Sequence, residues 1–187
     1  MNRRELLKLI TAATGTAMIG ATGTLAGCVN EASKAAPLTF TEQDRVLLDE
    51  VAGTIIPKTD TPGAKEAEVG HFMTVFVRDC YTPAQQKVFH QGLPQLKARA
   101  EQAYGAEFGV LSQAQKLELV RALDGEAKQV AAAGEETHYF TMLKQLTLFG
   151  FFTSEVGGTQ VLRYMAIPGR YDGCMPYEEG DRAWATT

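Results

Sequence analysis

The sequence predicts an all-α fold, a single compact domain of about five to seven helices. Apolar residues recur at the 3.6-residue period of an amphipathic helix in one segment after another. Several of these segments begin with Ser or Thr at the N-cap, which satisfies free amides at a helix start. No segment alternates apolar and polar residues for long with the two-residue period of a strand. We therefore expect helices packed around one core.

The first 27 residues have the composition of an export signal. Residues 2–8 form a basic patch that contains the pair Arg3-Arg4, and residues 9–27 are uncharged and rich in Ala, Thr and Gly. An arginine pair followed by an apolar residue and a lysine is typical of a twin-arginine signal. The alternative is an uncleaved membrane-spanning helix, for which nineteen residues just suffice. Its four glycines and five threonines disfavour that alternative.

Residues 25–28, Leu-Ala-Gly-Cys, resemble the lipobox of bacterial lipoproteins. Small residues before the cysteine permit cleavage there, after which Cys28 carries the lipid. Several acyl chains anchor a protein stably, because each buried CH₂ contributes about 0.8 kcal/mol. The alternative is a small-residue cleavage site that happens to contain a cysteine.

The chain therefore divides into a signal peptide (1–27), a flexible tether (28–40) and a helical domain with an irregular C-terminal tail (41–187). The leader has a formal charge of +2 and the whole chain −4, which leaves −6 from residue 28 onward. An acidic body with scattered charge disfavours nucleic acid as a partner.

The first two helices of the domain are separated by a proline-rich loop. An N-cap at Thr41 predicts a helix that ends near Ile55, and two prolines and a glycine predict a loop over 57–64. Apolar residues then fall at i, i+3, i+4 and i+7 from Val69, which predicts an amphipathic helix over 65–80.

Two longer helices follow. Thr82-Pro83 is an N-cap with proline at the first helical position, and its helix extends to Tyr104, with a break or kink expected at 92–94. Ser112 begins a capping box and opens another helix. The predicted buried face of that helix comprises Leu117, Val120, Leu123 and Ala127.

The segment 136–152 differs because apolar residues lie nearly all round it. Such a helix is central in its domain or covered by a partner. Thr153-Ser154 predicts the cap of a shorter helix toward Tyr164, and an irregular tail is expected from Pro168 onward.

No catalytic, cofactor-binding or metal-binding motif is present in the sequence. There is no Cys-x-x-Cys for a redox pair or attached haem, no Gly-rich phosphate loop and no nucleophile elbow. His71, His90 and His138 are far apart, and a single Glu68–His71 pair supplies too few ligands for a metal. Asp60 is expected to form a turn rather than to act as a base.

Cys80 and Cys174 are the cysteines that remain if Cys28 is lipidated. In an oxidising compartment they can form a disulfide with each other, or one of them can bond to a partner chain. Both alternatives stay open.

Aromatic residues are concentrated late in the chain, with Trp184 near the end. Core packing with a tail that folds back is one explanation. Tyr and Trp in a tail rich in Gly and Pro better suit an interface, where aromatic rings give large contact area at low entropic cost. The candidate partner interface comprises Phe149, Phe151, Phe152, Tyr164, Pro168, Gly169 and Tyr171.

Three ordered blocks of the sequence together form a recognisable pattern. The first is Ile55-Ile56-Pro57 through Ala64. The second runs from Phe140 through Gly150-Phe151-Phe152 to Glu155, and the third from Tyr164 through Pro168-Gly169 to Cys174. In this order they resemble the gluconate 2-dehydrogenase subunit 3 family. The similarity spans about 41 to 177, and the three blocks together make it specific.

The resemblance implies a non-catalytic small subunit of a flavin-dependent sugar, polyol or gluconate dehydrogenase. A large subunit of the glucose-methanol-choline (GMC) type binds FAD and oxidises the CH–OH group, so no cofactor is expected in this chain. A multihaem cytochrome c subunit, with its haem, is common in such complexes. The small subunit carries the twin-arginine signal for the large one, and a lipidated Cys28 would anchor it to the membrane on the periplasmic side of the bacterial envelope.

Two other classes of function compete with this one. A periplasmic lipoprotein with its own ligand-binding or enzymatic pocket would line that pocket with the late aromatic residues. A structural lipoprotein of the envelope would have no co-purifying partner.

Overall fold

The computed structural model describes residues 39–167, 169–170 and 172–185 and confirms the all-α class. These residues form five α-helices, a short 3₁₀ helix and a π-helical turn, and no β-strand occurs within these ranges. The helices are α1 (Glu42–Ile55), α2 (Val69–Cys80), α3 (Pro83–Tyr104), α4 (Gln113–Ala132) and α5 (Tyr139–Thr153). The 3₁₀ helix is Phe108–Val110 and the π turn is Gly157–Val161. None of the described helices is long and apolar enough to cross a membrane.

Three helices begin at the capping boxes that the sequence predicts. The side chains of Thr41, Thr82 and Ser112 each accept a bond from the backbone amide three residues on. The third residue, Asp or Gln, reaches back to the N-cap amide. Each such cap stabilises its helix by about 1 kcal/mol. These three helix starts are therefore determined by contacts between residues that are close in the sequence.

Helix α2 begins at Val69, four residues later than predicted. Residues 64–68 form turns, and Glu68 just before the helix has a φ of 51°, a left-handed conformation that α-helices do not contain. The first turn is capped by a residue from another helix, since the amide of Gly70 donates to the Asp49 carboxylate of α1 at 2.8 Å. A cap supplied by another helix has no local signature in the sequence.

Helix α3 runs from Pro83 to Tyr104 without the break expected at 92–94. Pro94 is exposed, and its neighbour Gly92 is buried against Tyr139 of α5. A Cβ at Gly92 would lie 2.2 Å from Cγ of Tyr139, so the glycine marks a close contact between two helices.

The buried face of α4 is rotated from the predicted one. Leu117 is exposed, whereas Lys116 and Leu119 are buried. The Lys116 ammonium donates to the Glu50 carboxylate at 2.7 Å and to the carbonyl of Gly109 at 2.9 Å. A buried lysine is tolerated because it is paired and hydrogen-bonded.

Helix α5 lies at the centre of the domain and contacts each of the other four helices. Its buried residues are Tyr139, Phe140, Met142, Leu143, Leu146, Thr147, Gly150 and Phe151. Three large apolar side chains of the same helix remain exposed, Leu148, Phe149 and Phe152.

The shorter helix predicted from Ser154 is largely replaced by the π turn. The Ser154 hydroxyl accepts from the amide of Gly157 at 3.0 Å and donates to the carbonyl of Phe151 at 2.7 Å. A Cβ at Gly157 would lie 1.9 Å from that same carbonyl oxygen, so only glycine permits this tight exit from α5.

Candidate partner interface

Four aromatic rings meet at the surface where α2 packs against α5. We call this set the aromatic face: Phe72, Phe76, Tyr81 and Phe149. The centroid of the Phe149 ring lies 5.7 Å from that of Phe72 and 5.6 Å from that of Phe76. The ring of Tyr81 packs edge-to-face with that of Phe76, with their centroids 5.7 Å apart. Tilted and edge-to-face rings at such distances attract one another. These contacts therefore hold the four rings in defined positions relative to one another.

A glycine allows the aromatic face to form. Gly150 of α5 is buried against α2, and a Cβ there would lie 2.5 Å from Cδ1 of Phe72. Any larger residue would displace that ring. Phe149 nevertheless leaves 48% of its surface in solvent, because it lies on top of the α2 rings rather than under them.

Phe151 belongs to the core, which corrects the predicted interface at this position. Only 2% of its surface is exposed, and its ring packs edge-to-face with Phe152 at 5.2 Å. Consecutive helical residues point about 100° apart, so one ring faces inward while the next faces solvent. A side chain already buried in its own chain has no surface to offer a partner.

Phe152 and Tyr164, two other predicted interface residues, line the same cavity. Its volume is about 430 Å³, and it lies between the end of α5, the π turn and the chain near Ala185. Phe152 is 40% exposed. The tertiary structure therefore brings together two aromatic side chains that are twelve positions apart in the sequence.

A pair of backbone hydrogen bonds closes the tail into a loop. Arg163 donates from its amide to the carbonyl of Ala183 at 2.8 Å and accepts from the amide of Ala185 at 2.9 Å. Its guanidinium lies 4.8 Å from the ring centre of Trp184 and 3.7 Å from the Asp181 carboxylate. We call these contacts the Arg163 clasp and residues 164–183 the tail loop.

The tail loop presents apolar side chains to solvent. Ile167 is 84% exposed, and Gly169 lies in the left-handed region with a φ of 72°. Among the described residues of the loop, Tyr164, Met165, Met175 and Tyr177 are also exposed. Several such residues on one segment are typical of an interaction site. Pro168 and Tyr171, also predicted for the interface, lie outside the described residues, as do Arg3, Arg4 and Cys28.

Both cysteines that the structure describes are free thiols. Cys80 is exposed at the end of α2, beside Tyr81 of the aromatic face, and Cys174 is exposed in the tail loop. The structure thus does not form the intramolecular disulfide that was one of the two alternatives. An intermolecular bond stays a prediction.

Burial shifts the pKa of one tyrosine and two histidines of the helical body. Burial raises the pKa of Tyr139 to about 12, and its hydroxyl has no hydrogen-bond partner among the described atoms. Burial likewise lowers the pKa of His90 and of His138. Within the described ranges, no group of three His, Cys, Asp or Glu side chains is placed to hold a metal ion.

Sequence reasoning missed the contribution of α2 to this surface. Phe72 and Phe76 fit the apolar stripe of an amphipathic helix, which predicts full burial. The signal that separates them is composition: the fully buried positions of α2 are aliphatic or Gly, such as Val69 and Met73, whereas the aromatic ones are only partly buried.

The described part of the chain is thus a small all-α domain with a partly exposed aromatic face and a closed, apolar tail loop. A family model described as gluconate 2-dehydrogenase subunit 3 matches residues 42–169. The chain belongs to this family, which confirms the resemblance of its three sequence blocks. The match covers all five helices and ends within the tail loop. No curated protein and no solved structure matches the chain.

Proposed function

We propose that this chain is the non-catalytic small subunit of an FAD-dependent dehydrogenase complex. Its partner is a large catalytic subunit of the GMC type that oxidises a CH–OH group of a sugar, a polyol or gluconate. The observation that carries the proposal is the exposed apolar surface, made of the aromatic face and the tail loop, in a chain of the gluconate 2-dehydrogenase subunit 3 family.

The chemistry of that surface favours a protein partner. Aromatic side chains lose little conformational entropy on binding and bury a large area, which is why they are enriched at interfaces. Phe149 is supported from below by Phe72 and Phe76, so it is held in place before any partner arrives. Preorganisation of this kind reduces the entropic cost of association.

The leader adds a role in export. A flavoprotein takes up FAD before it crosses the membrane, and a twin-arginine signal serves folded cargo. One signal with Arg3 and Arg4 serves both chains, provided that the interface survives transport. Lipidation of Cys28 would then hold the complex at the periplasmic side of the bacterial envelope, where a multihaem cytochrome c is a suitable electron acceptor.

The export role is tested by replacing Arg3 and Arg4 with lysine and fractionating cells. We expect dehydrogenase activity and flavin to be retained in the cytoplasm, while the matched change Arg121→Lys on exposed α4 leaves export unchanged. Activity that still reaches the periplasmic side in the double variant would overturn the escort role.

The subunit role is tested by affinity purification of the full-length chain from the envelope fraction, followed by an absorbance spectrum. We expect a stoichiometric larger chain with the spectrum of a flavin. The competing function is a lipoprotein with its own pocket, which the cavity of about 430 Å³ favours because ligand pockets have such volumes. Recovery of a monomer with a bound small molecule and no flavin would support that function instead.

A further inference from the structure

A second surface shares no residue with the aromatic face or the tail loop. Helices α1 and α3 and the 3₁₀ turn enclose a groove of about 580 Å³. We call it the acidic groove. Its lining residues are Glu42, Gln43, Val46, Leu47, Glu50, Lys97, Ala98, Glu101, Glu107, Phe108 and Gly109.

The groove presents two unpaired negative charges. Four glutamates and one lysine line it, but Glu42 is paired with Arg45, and Glu50 is paired with Lys65 and Lys116. The lysine, Lys97, is already paired with the Asp44 carboxylate at 2.8 Å. Within the described side chains, Glu101 and Glu107 form no ion pair. Their charge faces whatever occupies the groove.

The middle of the groove is apolar. Val46 lies one turn of α1 from Glu42 and one turn from Glu50, both of which are ion-paired. It leaves 48% of its surface in solvent although Leu47 beside it is buried. Phe108 of the 3₁₀ helix also lines the groove, although only 1% of its surface is exposed. An apolar centre with a rim that carries the unpaired carboxylates of Glu101 and Glu107 is complementary to an apolar segment that carries basic residues.

We propose that the acidic groove binds a segment of the large catalytic subunit in which apolar side chains are flanked by at least two Lys or Arg residues. This inference rests on the proposed function and adds a second contact that is electrostatic where the first is aromatic. A phosphate-bearing ligand is disfavoured by the negative rim. A second copy of this chain is disfavoured because both bodies have the same negative net charge.

The chain offers two variants that alter the groove with little effect on the fold. Glu101→Lys with Glu107→Lys inverts the unpaired rim, and both residues are exposed. Gly109→Leu fills the groove, since a Cβ at Gly109 meets nothing within 4 Å and its φ is not positive. Matched controls are Glu135→Lys with Glu136→Lys, and Gly125→Leu, which make the same changes elsewhere on the surface.

The experiment measures the affinity of the purified full-length chain for the catalytic subunit that co-purifies with it. We expect each groove variant to weaken binding at least tenfold and each control to change it less than twofold. Added salt is expected to reduce the affinity of the unaltered chain more than that of the Glu101/Glu107 variant, because the variant has lost the screened attraction.

The segment itself is identified by placing a photoreactive amino acid at Val46 in the intact complex and sequencing the crosslinked peptide. We expect a peptide of the catalytic subunit with at least two basic residues. A complex that forms normally while groove variants match their controls, or a crosslink to this chain itself, overturns the inference and leaves the subunit role intact. If no catalytic subunit co-purifies at all, the subunit role falls, and the groove inference falls with it.

Discussion

The helical body and the tail loop are held by different kinds of contact. In the body, α5 is surrounded by the other four helices, and large side chains such as Phe140 and Leu143 have almost no surface in solvent. The tail loop is closed by the Arg163 clasp, while Ile167 and Tyr177 remain largely exposed. The body is therefore stabilised by many buried contacts and the loop by a few exposed ones. This difference separates residues needed for folding from residues available for binding.

Substitutions of the adjacent residues Phe151 and Phe152 are expected to show the largest difference in stability between a core and a surface position. Phe151→Ala is expected to lower the free energy of unfolding by about 3–5 kcal/mol, because it leaves a cavity in the core. Phe152→Ala removes a ring that is partly in solvent and is expected to cost less than about 1.5 kcal/mol. Urea unfolding followed by circular dichroism measures both. Equal losses would show that the two rings are not divided between core and surface.

The contact of Gly92 with Tyr139 tests how closely the body is packed. Gly92→Ala places a Cβ against the tyrosine ring and is expected to destabilise the protein by about 1–3 kcal/mol. Gly125→Ala on α4 is the matched control, because its Cβ meets nothing within 4 Å. Alanine favours helix over glycine by about 1 kcal/mol, so the control is expected to raise stability. Thermal melts of both variants must shift in opposite directions.

The aromatic face is expected to affect binding more than folding. Phe149→Ser leaves the core residues of α5 in place but removes the exposed ring above α2. We expect at least a tenfold loss of affinity for the proposed catalytic subunit and a loss of about 1 kcal/mol or less in stability, since about half of the Phe149 surface is already in solvent. Surface plasmon resonance and urea unfolding measure the two effects. A variant that loses stability and keeps its affinity would contradict the assignment.

The Arg163 clasp is expected to control the tail loop and little else. Arg163→Ala removes the contacts with Trp184 and Asp181, which are worth about 0.5–1 kcal/mol at an exposed site. We expect global unfolding to change by no more than that, while amide exchange in residues 172–183 accelerates. Arg163→Lys retains a cation near the ring and is expected to restore part of the protection. Unchanged exchange in the alanine variant would show that the loop is held by other contacts.

Glu50 gives the helical body a pH-dependent contribution to its stability. Burial opposes its ionisation, but the hydrogen bonds from Lys116 and Lys65 outweigh burial and hold the pKa of Glu50 below its ordinary value. A depressed pKa contributes stability above the ordinary value of 4.5, and that stability is lost as pH falls through the folded-state pKa. Glu50→Gln should therefore be less stable than the unaltered chain at neutral pH, and the two should converge in acid. Urea unfolding at a series of pH values measures this difference. If the stabilities of the two proteins change with pH in parallel, Glu50 does not contribute this pH dependence.

Local rules account for the parts of the fold that the sequence predicts well. The caps at Thr41, Thr82 and Ser112 depend on bonds between residues three positions apart, so their helix starts are visible in the sequence. The all-α class follows from the apolar period in the same way. The late aromatic cluster also predicts a region where aromatic side chains remain exposed, although not which of them are buried.

Other features depend on residues that are far apart in the chain. The Asp49 cap on α2, the burial of Lys116 and the closure of the loop at Trp184 each join separate segments. No periodicity in the sequence encodes such a pairing.

The sequence by itself determined the helical class, the helix starts and the acidic charge of the body, because each arises from composition or from contacts within one turn. Only the tertiary structure decided that Phe151 is core while Phe149 and Phe152 are exposed. The reason is physical: a helix that is apolar all round has no preferred inward side until its neighbours pack against it. The close contacts of α5 with α2 at Gly150 and with α3 at Gly92 determine which side of α5 faces the core.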